Sequence, residues 1–113
     1  MTLLDLRIYK GITFAPDTLE ILDEDDEAID ITGWTVYAQA RAWGFRTPMI
    51  DLLPTITTAA TGIVTLALTD EQTADLTAGV YRWDLIGENA AGARLGPYVG
   101  GLLIVQAINT VPA

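Results

Sequence analysis

The 113-residue chain contains no cysteine, no histidine and no serine. Without cysteine there is no disulfide scaffold, no thiolate metal site and no thiol nucleophile, and the redox compartment stays open. Without histidine the commonest general base and the imidazole metal ligand are missing. Without serine a hydroxyl nucleophile of that type is missing too. Positive charge is scarce: six basic residues stand against fifteen acidic ones, for a net charge of −9. Arg7, Lys10, Arg41, Arg46, Arg82 and Arg94 are scattered and form no stripe. Phosphate backbones and anionic lipid heads are therefore repelled, and no nucleic-acid partner is expected. No apolar run approaches the ~20 residues of a membrane helix. The start, Met-Thr-Leu-Leu-Asp-Leu-Arg, lacks the basic and then apolar pattern of a signal peptide. The expectation is synthesis in a cytoplasm without membrane insertion.

What the chain does have is apolar: half of its residues are hydrophobic, which argues against disorder. The length suits a single domain over 1–113, with 106–113 as an exit tail. The organising stretch is Leu76 to Leu85, Leu-Thr-Ala-Gly-Val-Tyr-Arg-Trp-Asp-Leu. Tyr81, Trp83 and Leu85 alternate with Val80, Arg82 and Asp84, the period of a strand with one face in the core. Gly79 is expected to turn the chain through backbone angles closed to other residues. Tyr81 then reads as a corner pin whose hydroxyl bonds back to the backbone just upstream, as in Ig-like sandwiches. Trp83 reads as the central core residue, with Leu76 and Trp34 as its structural companions.

Along the chain, residues 3–9 read as a first strand with Leu4, Leu6 and Ile8 inward, and Thr13–Leu22 as a second. Pro16 inside the second argues for an edge or a bulge. Trp34–Arg41 is a strand with Trp34, Val36, Ala38 and Ala40 on one face, and Ile50–Leu52 is a short strand stopped by Pro54. Residues 55–61 read as a polar, flexible connection, and Gly62–Leu68 as a strand with Val64, Leu66 and Leu68 inward. Thr69-Asp70-Glu71-Gln72 matches a capping box, so one or two helical turns are expected over Asp70–Leu76. The Tyr81 strand ends near Glu88, turns through Asn89-Ala90-Ala91-Gly92 and returns from Ala93 to Val105, with a bulge or bend at Pro97 and Gly100-Gly101. The sum is an all-β, Ig-like antiparallel β-sandwich of seven or eight strands with one short helical turn.

Chemistry is harder to find. Asp23-Glu24-Asp25-Asp26-Glu27 is either a solvated turn or a loose calcium or magnesium loop. As an EF-hand it fails, because its sixth and twelfth positions hold Ala28 and Trp34. A pair of carboxylates could cleave a glycosidic bond, yet no acid lies in an apolar setting that would raise its pKa. The late glycines lack the Gly-Lys-Thr/Ser of a phosphate loop. No enzyme activity, cofactor or small-molecule ligand is expected. Residues 42–48 carry two large aromatics, Trp43 and Phe45, folded back on the core or exposed for a partner.

The order of these motifs resembles the N-terminal domain of bacteriophage baseplate upper proteins and related stand-alone Ig-like virion proteins. The likeness runs through Asp5-Leu6-Arg7-Ile8-Tyr9-Lys10-Gly11-Ile12-Thr13-Phe14 and Ile29-Asp30-Ile31-Thr32-Gly33-Trp34-Thr35-Val36. It continues through Gly62–Thr69, Thr73–Leu85 and Gly101-Leu102-Leu103-Ile104-Val105, covering about residues 4–110. The aromatic loop 42–48 and Gly96-Pro97-Tyr98 depart from the family pattern. The resemblance implies a non-enzymatic virion component of tail, baseplate, fibre adaptor or capsid surface. Its partners would be other virion proteins and further copies of itself, with Trp43, Phe45 and Tyr98 as interface residues. The competing expectation is a module binding carbohydrate or a host surface, in which the same aromatics stack on sugar rings.

Overall fold

The computed structural model describes residues 2–42 and 50–108. It is an all-β sandwich of two sheets. The elements are β1 (Thr2–Leu3), β2 (Leu6–Tyr9), β3 (Phe14–Glu20), β4 (Thr35–Ala42), β5 (Ile50–Asp51), β6 (Thr55–Thr58), β7 (Ile63–Leu68), α1 (Asp70–Ala74), β8 (Gly79–Glu88) and β9 (Arg94–Gln106). The larger sheet runs β1-β9-β8-β4-β5, with β2 also on β9; the smaller runs β3-β7-β6. Strand alternation, not mere hydrophobicity, puts the two sheets face to face. Leu19, Val64, Leu66 and Leu68 of the smaller sheet meet Leu6, Ile8, Tyr81, Trp83, Leu85 and Leu103 of the larger in one buried cluster. Each such aliphatic side chain contributes about 1.5–3 kcal/mol when fully buried.

The inner face of the larger sheet is graded by size. Ala38, Ala40 and Ala42 of β4 sit opposite Leu85, Trp83 and Tyr81 of β8. On the other flank Trp83 is opposite Gly101 of β9. A bulky indole is thus flanked on both sides by residues with almost no side chain, which gives it room to lie down. Its Nε1–H donates to the Leu4 carbonyl at 2.8 Å. Leu4 lies on the link between β1 and β2, so this bond ties the first segment to the centre of the core.

Several expectations change. The sheet is not purely antiparallel: β1 and β2 run parallel to β9, with Leu3 opposite Gly100 and Leu6 opposite Leu103. The chain pairs its beginning with its last strand, which no local pattern announces. The first strand is two strands because its backbone bends in at Leu4-Asp5. A β-carbon at Gly101 would collide with the Leu4 carbonyl and come within 2.8 Å of Asp5 Oδ1. Gly101 therefore serves this close approach, and the register at Gly100-Gly101 is regular. The bulge expected at Pro97 is present, between Val99 opposite Leu85 and Leu95 opposite Gly87. Residues 55–61 are not a loose connection but β6 followed by a 3-10 turn at Ala59–Thr61. Threonine-rich polar runs suit an outer strand of this kind. The described residues form nine strands, because β1 and β2 divide and β6 is added.

Pro16 does sit in an edge strand, and the β3–β7 register shifts between Phe14 and Asp17. The capping box at Thr69 forms in both directions: Thr69 Oγ1 accepts from Gln72 N–H at 3.1 Å and Gln72 Oε1 accepts from Thr69 N–H at 2.8 Å. The helix is shorter than expected and ends at Ala74. Gly79 is not in the left-handed region. The chain reverses at the end of α1, where Leu76 N–H donates to the Thr73 carbonyl at 3.2 Å. Leu76 itself is half-buried against the core.

The Tyr81 corner forms as expected. The hydroxyl donates to the Thr77 carbonyl at 2.5 Å, four residues upstream, and burial pushes the phenol above its ordinary pKa. Tyr81→Phe is expected to cost about 1 kcal/mol, the net worth of one such bond. Urea denaturation reads this as a lower midpoint at unchanged slope. An unchanged midpoint would mean that the corner bond contributes nothing to stability.

Candidate interaction face

The outer face of the larger sheet is the most distinctive surface among the described residues. Its composition follows from strand alternation. Leu102-Leu103-Ile104-Val105 are four consecutive apolar residues; Leu103 and Val105 face the core, so Leu102 and Ile104 must face out. Val80 lies opposite Ile104 on β8. Leu3, on β1, is 76% exposed and Val80 54%. Next to these apolar groups stand arginines. Arg82 is opposite Leu102, Arg41 is opposite Arg82, and Arg7 is opposite Ile104. Half of the chain's six basic residues therefore share one face, although they are 34 and 41 residues apart in sequence.

A hollow of about 390 Å³ is set into this face, bordered by Leu3, Gln39, Arg41, Arg82, Asp84 and Pro97. It exists because Gly100, between Leu3 and Asp84 in the pairing, supplies no side chain. A second hollow of about 420 Å³ lies beyond Pro97, lined by Thr2, Leu22, Ile29 and Tyr98 and rimmed by Asp23, Glu24 and Asp26. Pro97 borders both hollows, whereas Thr2 and Leu3, on opposite faces of β1, line one each.

The acidic stretch is a turn, closed by Leu22 bridging Ala28. Asp23 organises it: Oδ1 accepts from Asp25 N–H at 2.8 Å and Glu27 N–H at 3.0 Å. Asp26 takes a φ of 61°, which aspartate tolerates better than most residues. Among the described residues, no group of three acids is arranged to hold a metal ion. No helix of the described residues is long and apolar enough to cross a membrane.

Of the three expected interface residues, Trp43 and Phe45 lie outside the described residues. Tyr98 is half-buried, lines the acidic hollow and packs against Trp34, with ring centroids 6.3 Å apart and planes at 43°. Trp34 in turn covers Gly87, where a β-carbon would come within 2.7 Å of the indole. Burial raises the Tyr98 phenol above its usual pKa. Trp34 is thus a half-buried cover on the core's end, not part of its centre. The residues that composition and motif reading passed over are Leu3, Leu102, Val80 and Arg82. For Leu102 the signal was available in the unbroken apolar run 102–105, which no strand can bury on one face.

Neither the known protein-family models nor the characterised proteins include a match to this sequence.

Proposed function

We propose that this chain is a non-enzymatic structural component of a bacteriophage particle, built on an Ig-like sandwich and acting through protein–protein contacts. The observation that carries the assembly reading is the outer face of the larger sheet. Leu3, Val80 and Leu102 are exposed together beside three arginines. Contiguous apolar surface rimmed by charge is typical of protein contact sites, and arginine is enriched there. The resemblance of residues 4–110 to baseplate and other virion proteins supplies the particle. The small sheet adds a further route to assembly, since its outer strand β6 carries no charge in Thr55–Thr58 to block pairing with a neighbour's strand.

The test is immunogold electron microscopy of particles from the source, with antibody raised against the recombinant chain. Label at one place on the particle is the expected result. Unlabelled particles, with the epitope accessible after disruption and antigen only in the soluble lysate, would sink the reading.

A further inference from the structure

We infer that the outer face of the larger sheet takes an extended segment of a different protein, in which an apolar and an acidic residue stand two positions apart. The apolar residue lies on Leu3 and Leu102, and the carboxylate meets Arg41 and Arg82. Pairing sets this out. Leu102, Arg82 and Arg41 form one row across β9, β8 and β4. Leu3, Gly100, Asp84 and Gln39 form the next row, two residues along each shared strand. Both rows therefore project from the same face. Each begins at an exposed leucine and passes to polar groups on β8 and β4. The hollow of about 390 Å³ and a further one of about 300 Å³ share Leu3, Arg82 and Gly101, so they form one continuous groove.

The arginines identify the ligand's chemistry. Arg41 and Arg82 stand directly opposite each other on β4 and β8. Like charges so placed destabilise a sheet, so the pairing asks for an anion. Each arginine has an interaction within its own chain, and its five N–H donors leave capacity for a further acceptor. With Asp84 beside them the group holds two positive charges and one negative. One added carboxylate makes it neutral, and the guanidinium fork matches a carboxylate's two oxygens. Asp5, at the other end of the groove, is occupied in accepting from Leu102 N–H at 3.0 Å. Spacing supplies the rest. Strands lie about 4.8 Å apart, which puts the arginines about 5–10 Å from Leu102 along the row. Residues two apart in an extended segment are about 6.5–7 Å apart and point the same way. A segment crossing the strands thus sets down both side chains at once. A chain of net charge −9 is repelled by its own copies, which assigns the segment to another protein.

This inference rests on the assembly reading and fails separately: particles that carry the antibody label, with a groove that takes no peptide, leave that reading in place. The probe is the peptide acetyl-Thr-Leu-Thr-Glu-Thr-amide, titrated into the isotope-labelled full chain and followed by the chain's amide resonances. Salt is held at about 0.15 M, where distant charges are screened. The titration runs to about 5 mM, which reaches contacts with a Kd of about 1 mM. Saturating shifts at Arg41, Arg82, Gly100 and Leu102 are expected. Glutamine in place of the peptide's glutamate is expected to weaken binding about tenfold, because the charge-assisted bonds are lost. Arg82→Gln and Arg41→Gln in the chain are each expected to do the same to the glutamate peptide. Their urea midpoints should be unchanged or raised, since the opposed charges are gone. The inference is overturned by no saturable shift, by equal binding of the glutamine peptide, or by binding that survives both arginine substitutions. Shifts centred on Asp23 and Tyr98 also overturn it. So does tighter binding of a glucuronic acid oligosaccharide, which would make the groove a saccharide site. A parent that sediments above 12.2 kDa and returns to that mass with Leu3→Glu would show a second copy covering the face instead.

Discussion

Trp83→Ala is expected to remove about 3–5 kcal/mol of stability, the usual range for deleting a buried aromatic. That is a large part of the ~5–15 kcal/mol by which domains of this kind are stable. The side chain is only 3% exposed and sits between Ala40 and Gly101, neither of which can expand to fill the space. The residual cavity should therefore stay open. Trp83→Phe separates two parts of the effect. Phenylalanine keeps most of the apolar contact but cannot donate to the Leu4 carbonyl, now held at 2.8 Å by the indole. An orphaned buried acceptor costs about 1–3 kcal/mol. Urea denaturation of both variants, with hydrogen exchange on β1 and β2, gives the answer. If Trp83→Phe matches the parent and the exchange of residues 2–9 is unaltered, the indole bond does not anchor the first strands.

Gly62→Ala is expected to cost about 2–4 kcal/mol, from left-handed backbone strain and overpacking together. Gly62 has a φ of +68°. An added β-carbon would lie 2.7 Å from the Ile29 carbonyl and 2.9 Å from the Ile21 carbonyl, both backbone atoms that cannot swing aside. The Gly62 carbonyl also accepts from Ile21 N–H at 2.8 Å, so displacing it disturbs the strand link at the base of the acidic turn. Gly92→Ala is the control. Its φ is +86°, but nothing lies within 4 Å of the added carbon. It should cost only about 1 kcal/mol, the backbone part. Equal losses at the two positions would mean that the close approach at Gly62 has no energetic weight.

The assembly proposals stand on different ground from these stability predictions. Leu3, Val80 and Leu102 are exposed where they could have been polar without harm to the core, so the fold does not account for them.

Local physics made much of the fold legible in the chain itself. Alternation at Tyr81-Arg82-Trp83-Asp84-Leu85 and at Val64-Thr65-Leu66-Ala67-Leu68 allows only one burial pattern for a strand against a core. Thr69 and Gln72 define a helix start by satisfying each other's backbone N–H. The tyrosine corner is a bond over four residues and is equally local. What only the tertiary structure decided involves partners far apart in sequence. The parallel pairing of Leu6 with Leu103 spans nearly the whole chain, and Gly101 is small because Leu4 and Asp5 pass over it. Residues 55–58 become a strand because β7 offers them an edge, not because their own side chains demand it. The interaction face belongs to the same class. Leu3, Arg41, Arg82 and Leu102 come from four strands, and register alone brings them together. Burial and capping are encoded residue by residue, whereas a surface is encoded by pairing, and pairing is settled only when the whole chain has folded.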